Sequence, residues 1–329
     1  ITRYGPAAGD PELRKAIAYK LATVNNIPTE AENILVTNGG KQSIFNLLQI
    51  ILNPGDEVLI PSPYWLSYPE ITKFADGVPV PIETSPNKGF FLDIEKIEEK
   101  ITSKTKIMVL NSPCNPTGKV LKEAELHSIA QLLRRHPQII LITDEIYEFL
   151  IDDNETHISL KSIAPDLEER IFIVNGFAKA WAMTGWRVGY IQGNEEIINK
   201  AIALQSQSTS NVCSFAQRGA LAAILEKPSG IEYMINSYNK RRKHLTKAIQ
   251  NIRGLTLVPQ GGAFYTFPMI STHFGNSLDF CKRALETQGL AIVPGIAFGN
   301  NQCIRISCSV SEDKIDDGIS RLKKVIKEI

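Results

Sequence analysis

Short apolar runs rich in β-branched residues recur along this chain, at residues 34–37, 58–60, 107–110, 139–143, 171–174 and 188–191. Runs so short and continuous read as strands buried on both faces rather than as one-sided strands. Between several of them lie stretches with helical periodicity, at 44–52, 121–135, 195–203 and 215–225. Strands alternating with helices argue an α/β chain with a largely parallel sheet. Ligands of such sheets bind beyond the carboxyl ends of the strands, so the residues that follow each run are the first to inspect.

The chain has 329 residues, enough for one large domain or two ordinary ones. Its 36 basic and 35 acidic residues leave a net charge of +1, with no excess that points to nucleic acid or an anionic membrane. No apolar run approaches the roughly 18 residues of a spanning helix, and no secretory signal opens the chain. Cys114, Cys213, Cys281, Cys303 and Cys308 contain no C-x-x-C pair, and they read as reduced cytosolic thiols without a disulfide frame or zinc site. The expected location is the cytoplasm.

Taken in order, Tyr4 lies in a Y-G-P-A-A-G loop before a helix start at Asp10-Pro11-Glu12, where Asp10 can cap and Pro11 fits the first turn. Run 34–37 leads through Asn38-Gly39-Gly40-Lys41 into a helix. Two glycines between strand and helix make an anion cup, because bare amides and the helix dipole converge there, although many tight turns look the same. Trp65 follows run 58–60, a position whose commoner role is plain core. Asn115 belongs to an N-P-T-G turn after run 107–110. Asp144 ends run 139–143, with Tyr147 just beyond. An ionised carboxylate there is costly without a cationic partner, unless Asp144 simply caps a helix.

The stretch N-G-F-A-K-A-W-A-M-T-G-W-R-V-G-Y, between the last two runs, carries Lys179 and Arg187. Lys179 sits among Phe177, Ala180 and Trp181, where lost hydration would lower its pKa toward that of a nucleophilic amine. Arg187 is a fixed cation suited to phosphate. The alternative is a surface loop with two solvated cations. Residues 231–252 read as one long helix whose basic residues 240–243 form a solvated face. A boundary near residue 238 would divide the chain into 1–238 and 239–329. In Ile304-Arg305-Ile306, strand alternation sends Arg305 to the face opposite the isoleucines, toward a ligand or a buried acid. Ser311 reads as the cap of the last helix.

This Lys179 motif resembles that of class I pyridoxal-phosphate aminotransferases, in particular the bacterial-type aspartate aminotransferases, and the similarity runs from Tyr4 to about Ser309. The resemblance implies the type I fold of pyridoxal-phosphate enzymes, a large mostly parallel sheet domain plus a smaller C-terminal α/β domain. Lys179 would hold the cofactor aldehyde as an imine, Asp144 would pair with the ring nitrogen, and Trp65 would stack on the ring. Asn115 and Tyr147 would reach its phenolate oxygen. Gly39, Gly40, Lys41 and Arg187 would hold the phosphate, joined by Tyr4 from the partner of a homodimer.

For the substrates, an amino acid and a 2-oxo acid, the resemblance gives Arg305 the α-carboxylate, with Trp65 and Asn115 beside it. Lys41 would meet a distal carboxylate, against the alternative of a surface lysine at a helix start. Gly176 departs from a serine that some relatives use for phosphate. By the family pattern the chain starts late, without the segment that completes the small domain and covers the substrate. The implied reaction moves the amino group of an L-amino acid, with aspartate first, to 2-oxoglutarate. A β-lyase, an aromatic or prephenate aminotransferase, or a non-catalytic regulator that binds the cofactor would keep the same cofactor residues.

Overall fold

The structure is a computed structural model that describes residues 2–226 and 229–328. A seven-stranded sheet is built from β1 (Ile34–Thr37), β2 (Glu57–Ser62), β3 (Val78–Glu83), β4 (Thr105–Asn111), β5 (Ile140–Asp144), β6 (Ile171–Gly176) and β7 (Gly189–Gln192). Their order across the sheet is β1-β7-β6-β5-β4-β2-β3. All neighbours from β6 to β3 run parallel, whereas β7 is antiparallel to both β1 and β6.

Helices α1 (Pro11–Val24), α2 (Gly40–Ile51), α3 (Ser67–Phe74), α4 (Ile94–Glu98), α5 (Glu123–Arg135), α6 (Leu160–Ile163), α7 (Glu195–Ser208) and α8 (Ser214–Leu225) accompany the sheet. Period-two alternation divides the strand residues between two buried faces. Leu59, Met108, Leu110, Leu141 and Ile171 pack with Leu126, Ile129 and Leu133 of α5. Val58, Ile60, Ile107, Val109, Ile142 and Phe172 pack with Ile44, Leu47 and Leu48 of α2 and Ile198 of α7. Both faces are covered, which is why these strands read as continuous apolar runs.

Beyond α9 (Ser229–Gln250) the chain forms β8 (Leu255–Thr256), β9 (Tyr265–Thr266), β10 (Met269–Ile270), α10 (Ser277–Gln288), β11 (Val293–Pro294), β12 (Ile304–Ser307) and α11 (Glu312–Lys327). A three-stranded antiparallel sheet, β11-β12-β9, carries this part, and Leu245, Ile249, Phe280, Ile315, Ile319 and Leu322 share its core. Residue 238 falls inside α9. No helix among the described residues is long and apolar enough to cross a membrane, and all five cysteines are free.

Three local expectations differ from the structure. The polar run after residue 203 does not end α7, which continues to Ser208. Gln205 is fully buried and donates to the Val36 and Ala7 carbonyls while accepting from Asn46, so tertiary partners satisfy a residue that looks like a loop residue. The basic residues 240–243 are not one solvated face. Arg242 is buried, 2.8 Å from Asp152 and bonded to the Ala263 and Gly261 carbonyls, because its position on α9 faces the following strands. Ser311 occupies the N-cap of α11, yet its side chain makes no capping hydrogen bond. Asp10, in contrast, accepts from the Glu12 and Leu13 amides as expected.

Candidate active site

The carboxyl ends of β1, β2, β4, β5 and β6, together with the start of β7, lie along one edge of the sheet. A cavity of about 450 Å³ opens there, and Lys41, Trp65, Asn115, Asp144, Lys179 and Arg305 are among its lining residues. Gly40, Tyr68, Asn111, Tyr147, Arg187 and Tyr265 also line it. Seven separate segments of the sequence thus meet at one place, where open α/β sheets hold ligands.

The anion cup is made by backbone shape. Gly39 has φ +80°, a left-handed conformation that favours glycine, and a Cβ there would land on the Arg187 guanidinium. Gly189 packs against the same turn, since its Cβ would lie 2.6 Å from the Gly40 nitrogen. The close β1–β7 pairing, with Thr37 opposite Gly189, therefore sets Arg187 beside the amino end of α2. Arg187 donates to the Thr184 and Asn38 carbonyls at 3.0 and 3.2 Å. Amides, helix dipole and guanidinium together can hold a phosphate.

Deeper in the cavity, Asp144 is buried and its carboxyl is pushed up to about 6 by burial, against the lowering by the Tyr68 hydroxyl and the Ile146 amide. Tyr68 donates to it at 2.8 Å. Burial likewise lowers the Lys179 ammonium below the usual lysine range; Asp144 opposes the shift, and Arg305 and Arg187 add to it. The Lys179 amine lies 5.5 Å from the centre of the Tyr147 ring and 5.2 Å from that of Phe264. Trp65 meets Tyr68 edge-on at 5.4 Å, and the Lys41 amine stands 5.1 Å from the Trp65 ring.

Arg305 lies between the rings of Tyr265 and Phe298, at 4.5 and 4.8 Å. Its Nη1 donates to Asn115 Oδ1 at 2.9 Å, while its buried Nε has no acceptor. Arg134 and Arg135 each hold a carboxylate through two nitrogens, but no carboxylate partner of Arg305 is found among the described residues. A desolvated arginine with unused donors is prepared for an incoming carboxylate.

The structure brings together every proposed site residue except Tyr4, which is 92% exposed in a surface recess beside Thr209, Asn211 and Phe215. Tyr68, Asn111 and Tyr265 were not singled out in the sequence. Asn111 donates to the Asp144 carbonyl and accepts from the Asn115 amide, so it ties two of the loops together. Behind Asp144, Glu145 and Glu148 form a buried polar layer with His157, Lys20 and Asn175. Its only sequence signal was the acidic pair that follows a buried strand.

The family model described as "Aminotransferase class I and II" matches residues 1–322. The chain belongs to this family. It is an aminotransferase, and the family depends on pyridoxal phosphate and acts on amino acids and keto acids. This aminotransferase is 42% identical over 341 residues to the bifunctional aspartate aminotransferase and glutamate/aspartate-prephenate aminotransferase of Petunia hybrida, a match that covers 100% of this chain and 71% of the relative. Among solved structures, the aspartate aminotransferase of Thermus thermophilus with maleate has a TM-score of 0.94 and 40% identity, covering 98% of this chain and 84% of that one. The aromatic aminotransferase of Pyrococcus horikoshii OT3 has a TM-score of 0.96 and 36% identity, covering 99% and 88%. The type I fold expected from the Lys179 motif is the fold observed.

The aminotransferase cavity suits its cofactor on physical grounds. A buried carboxylate with no cationic hydrogen-bond partner can take a pyridinium N–H. The side-chain-free turn at Gly39 and Gly40 leaves room for a phosphate against backbone amides.

Proposed function

We propose that this aminotransferase moves the amino group of an L-amino acid, aspartate foremost, to 2-oxoglutarate, with Lys179 as the covalent anchor of pyridoxal phosphate. One observation carries the reading: a lysine with its ammonium destabilised by burial shares a cavity with a buried carboxylate and an arginine that has donors to spare. Pyridoxal phosphate, when bound, supplies an aldehyde that condenses with amines and a ring that accepts an electron pair.

The chain's own residues do the rest. Arg187 and the amides at Gly39 and Gly40 would hold the phosphate, and Trp65 would cover the ring. Asp144 would keep a proton on the ring nitrogen, and Asn115 and Tyr147 would donate to the phenolate oxygen. Arg305 docks the substrate α-carboxylate and so presents the Cα–H bond to Lys179. A lysine of lowered pKa, once its amine is free, could hold that proton as a general base. Lys41 stands at the cavity mouth above Trp65 and would pair with a distal carboxylate.

Tyr4 would reach the phosphate of a partner chain in a cytoplasmic homodimer, and its exposure outside the lining of its own cavity supports that assignment. The division into a cofactor-binding part, 1–238, and a small C-terminal part, 239–329, belongs to the same proposal. Prephenate-type keto acids are the second reading, favoured by the names of the Petunia hybrida enzyme and of the probable aspartate/prephenate aminotransferase of Aquifex aeolicus.

A panel of amino donors with 2-oxoglutarate, read by keto-acid release, tests the proposal. Turnover should require a keto acid and be fastest with aspartate. Lys41→Ala should cost aspartate far more than an aromatic donor, and borohydride should fix the chromophore at Lys179. Turnover independent of any keto acid would favour a lyase, and an adduct on another lysine would remove the central assignment.

A further inference from the structure

We propose that Tyr265 is a positioning residue with two separable jobs: its ring fixes the plane of Arg305, and its hydroxyl fixes the direction in which Tyr147 donates. The inference rests on the roles given above to Arg305 and Tyr147.

Tyr265 pairs with Ser307 across the antiparallel β9–β12 ladder. Arg305 stands diagonally from it, so strand alternation sends both side chains out of the same face. The guanidinium centre lies 4.5 Å from the Tyr265 ring centre, with Phe298 as a second ring at 4.8 Å. Aromatic faces hold a guanidinium without using its N–H donors. That is the requirement for a carboxylate receptor: its plane is restrained while its donors stay free. Among the described residues only Nη1 is committed, to Asn115.

The other end of the same side chain meets a different group. The Tyr265 and Tyr147 hydroxyls are 3.1 Å apart, and either can donate. Tyr147 is buried and extends from the loop after β5, whereas Tyr265 belongs to the small antiparallel sheet. When Tyr147 donates to the cofactor oxygen, its own oxygen is left to accept from Tyr265. A donor that is itself hydrogen-bonded in this way is strengthened. The charged or titratable groups around Tyr147 are Tyr68, Asp144, Lys179 and Arg305, and those around Tyr265 are Arg305, Cys308 and Tyr238. Tyr265→Phe alters none of them, so a changed titration would report the lost hydroxyl.

The test uses the pyridoxal-phosphate-loaded protein, its Tyr265→Phe and Tyr265→Leu variants, and succinate, a dicarboxylate with no amine to react. Succinate affinity is read by calorimetry, and the pH midpoint of the bound cofactor by its absorbance. Tyr265→Phe keeps the ring, so succinate should bind within about twofold of the parent while the absorbance midpoint rises. Tyr265→Leu removes both groups and should weaken succinate on the order of tenfold. Unchanged succinate affinity in folded Tyr265→Leu would overturn the ring's job, and an unmoved midpoint in Tyr265→Phe would overturn the hydroxyl's. A parent without a chromophore would defeat the cofactor assignment and the hydroxyl's job with it. The calorimetric comparison would still judge the ring, because it reads Arg305 independently of cofactor.

Discussion

The Tyr68 hydroxyl donates to Asp144 at 2.8 Å across 76 residues of sequence, and both groups are buried. Even with this donor, burial holds the Asp144 carboxyl at about 6, against an ordinary 3.8. A carboxyl raised on folding stabilises the native state fully below about 3.8, and that contribution is lost as pH climbs through about 6. A displacement of this size corresponds to about 3 kcal/mol. Urea denaturation of the cofactor-free protein between pH 4 and 7 should therefore show the parent losing about that much relative to Asp144→Asn. Parallel stability curves would place the charge in a better solvated environment.

Arg305 has no carboxylate partner among the described residues, so its removal should be felt by substrate more than by the fold. A charge-assisted hydrogen bond is worth roughly 1.5–3 kcal/mol. Arg305→Ala should lower kcat/KM on the order of 10- to 150-fold for every amino donor alike, with the melting temperature little changed. A loss confined to aspartate would reassign Arg305 to the distal carboxylate.

Within residues 240–243, Arg242 and Lys240 should behave oppositely. Arg242→Met takes the buried cation from Asp152, leaving it only the more distant Lys243, and strips the buried Ala263 carbonyl of its donor, so it should destabilise the protein by on the order of 3 kcal/mol. Lys240 is exposed and, among the described residues, pairs only with Glu312, so Lys240→Met should cost under about 1 kcal/mol. Denaturant midpoints of the two variants decide it; equal losses would contradict the burial of Arg242.

Tyr4 tests whether two chains share each site. Lys179→Ala chains refolded together with chains carrying Tyr4→Ala should regain activity, because one site per hybrid dimer would hold both an intact lysine and an intact tyrosine. No gain in verified hybrids of folded parents would return Tyr4 to a role within its own chain.

What could be read in advance was what is local. Asp144 was legible because an apolar strand ends in an acid, and the Gly39–Gly40 turn because it joins a strand to a helix. Lys179 and Arg187 were legible through a motif carried on one continuous loop. Residues whose role depends on distant partners were not. Arg242 looks like any cation of a basic run until Asp152 and the carbonyls of 261 and 263 are placed around it. Gln205 looks like a loop residue until Ala7 and Val36 present their carbonyls. Tyr68 and Tyr265 each find the hydroxyl's partner across a long span of chain, 76 and 118 residues, and neither spacing leaves a periodic trace.

Strand β7 has a consequence for the order of assembly. Within the large sheet β1 pairs only with β7, although more than a hundred residues separate them in the chain. On the ribosome, β1 and the glycine turn that follows it must wait for β7 to emerge before they can join the sheet. Arg187, which sits just ahead of β7, arrives at the same moment. The anion cup is thus among the last parts of the large sheet to close, and a phosphate ligand could recognise only a chain that has completed that closure. Bound cofactor would then count finished molecules and shift the balance away from partly folded ones by mass action.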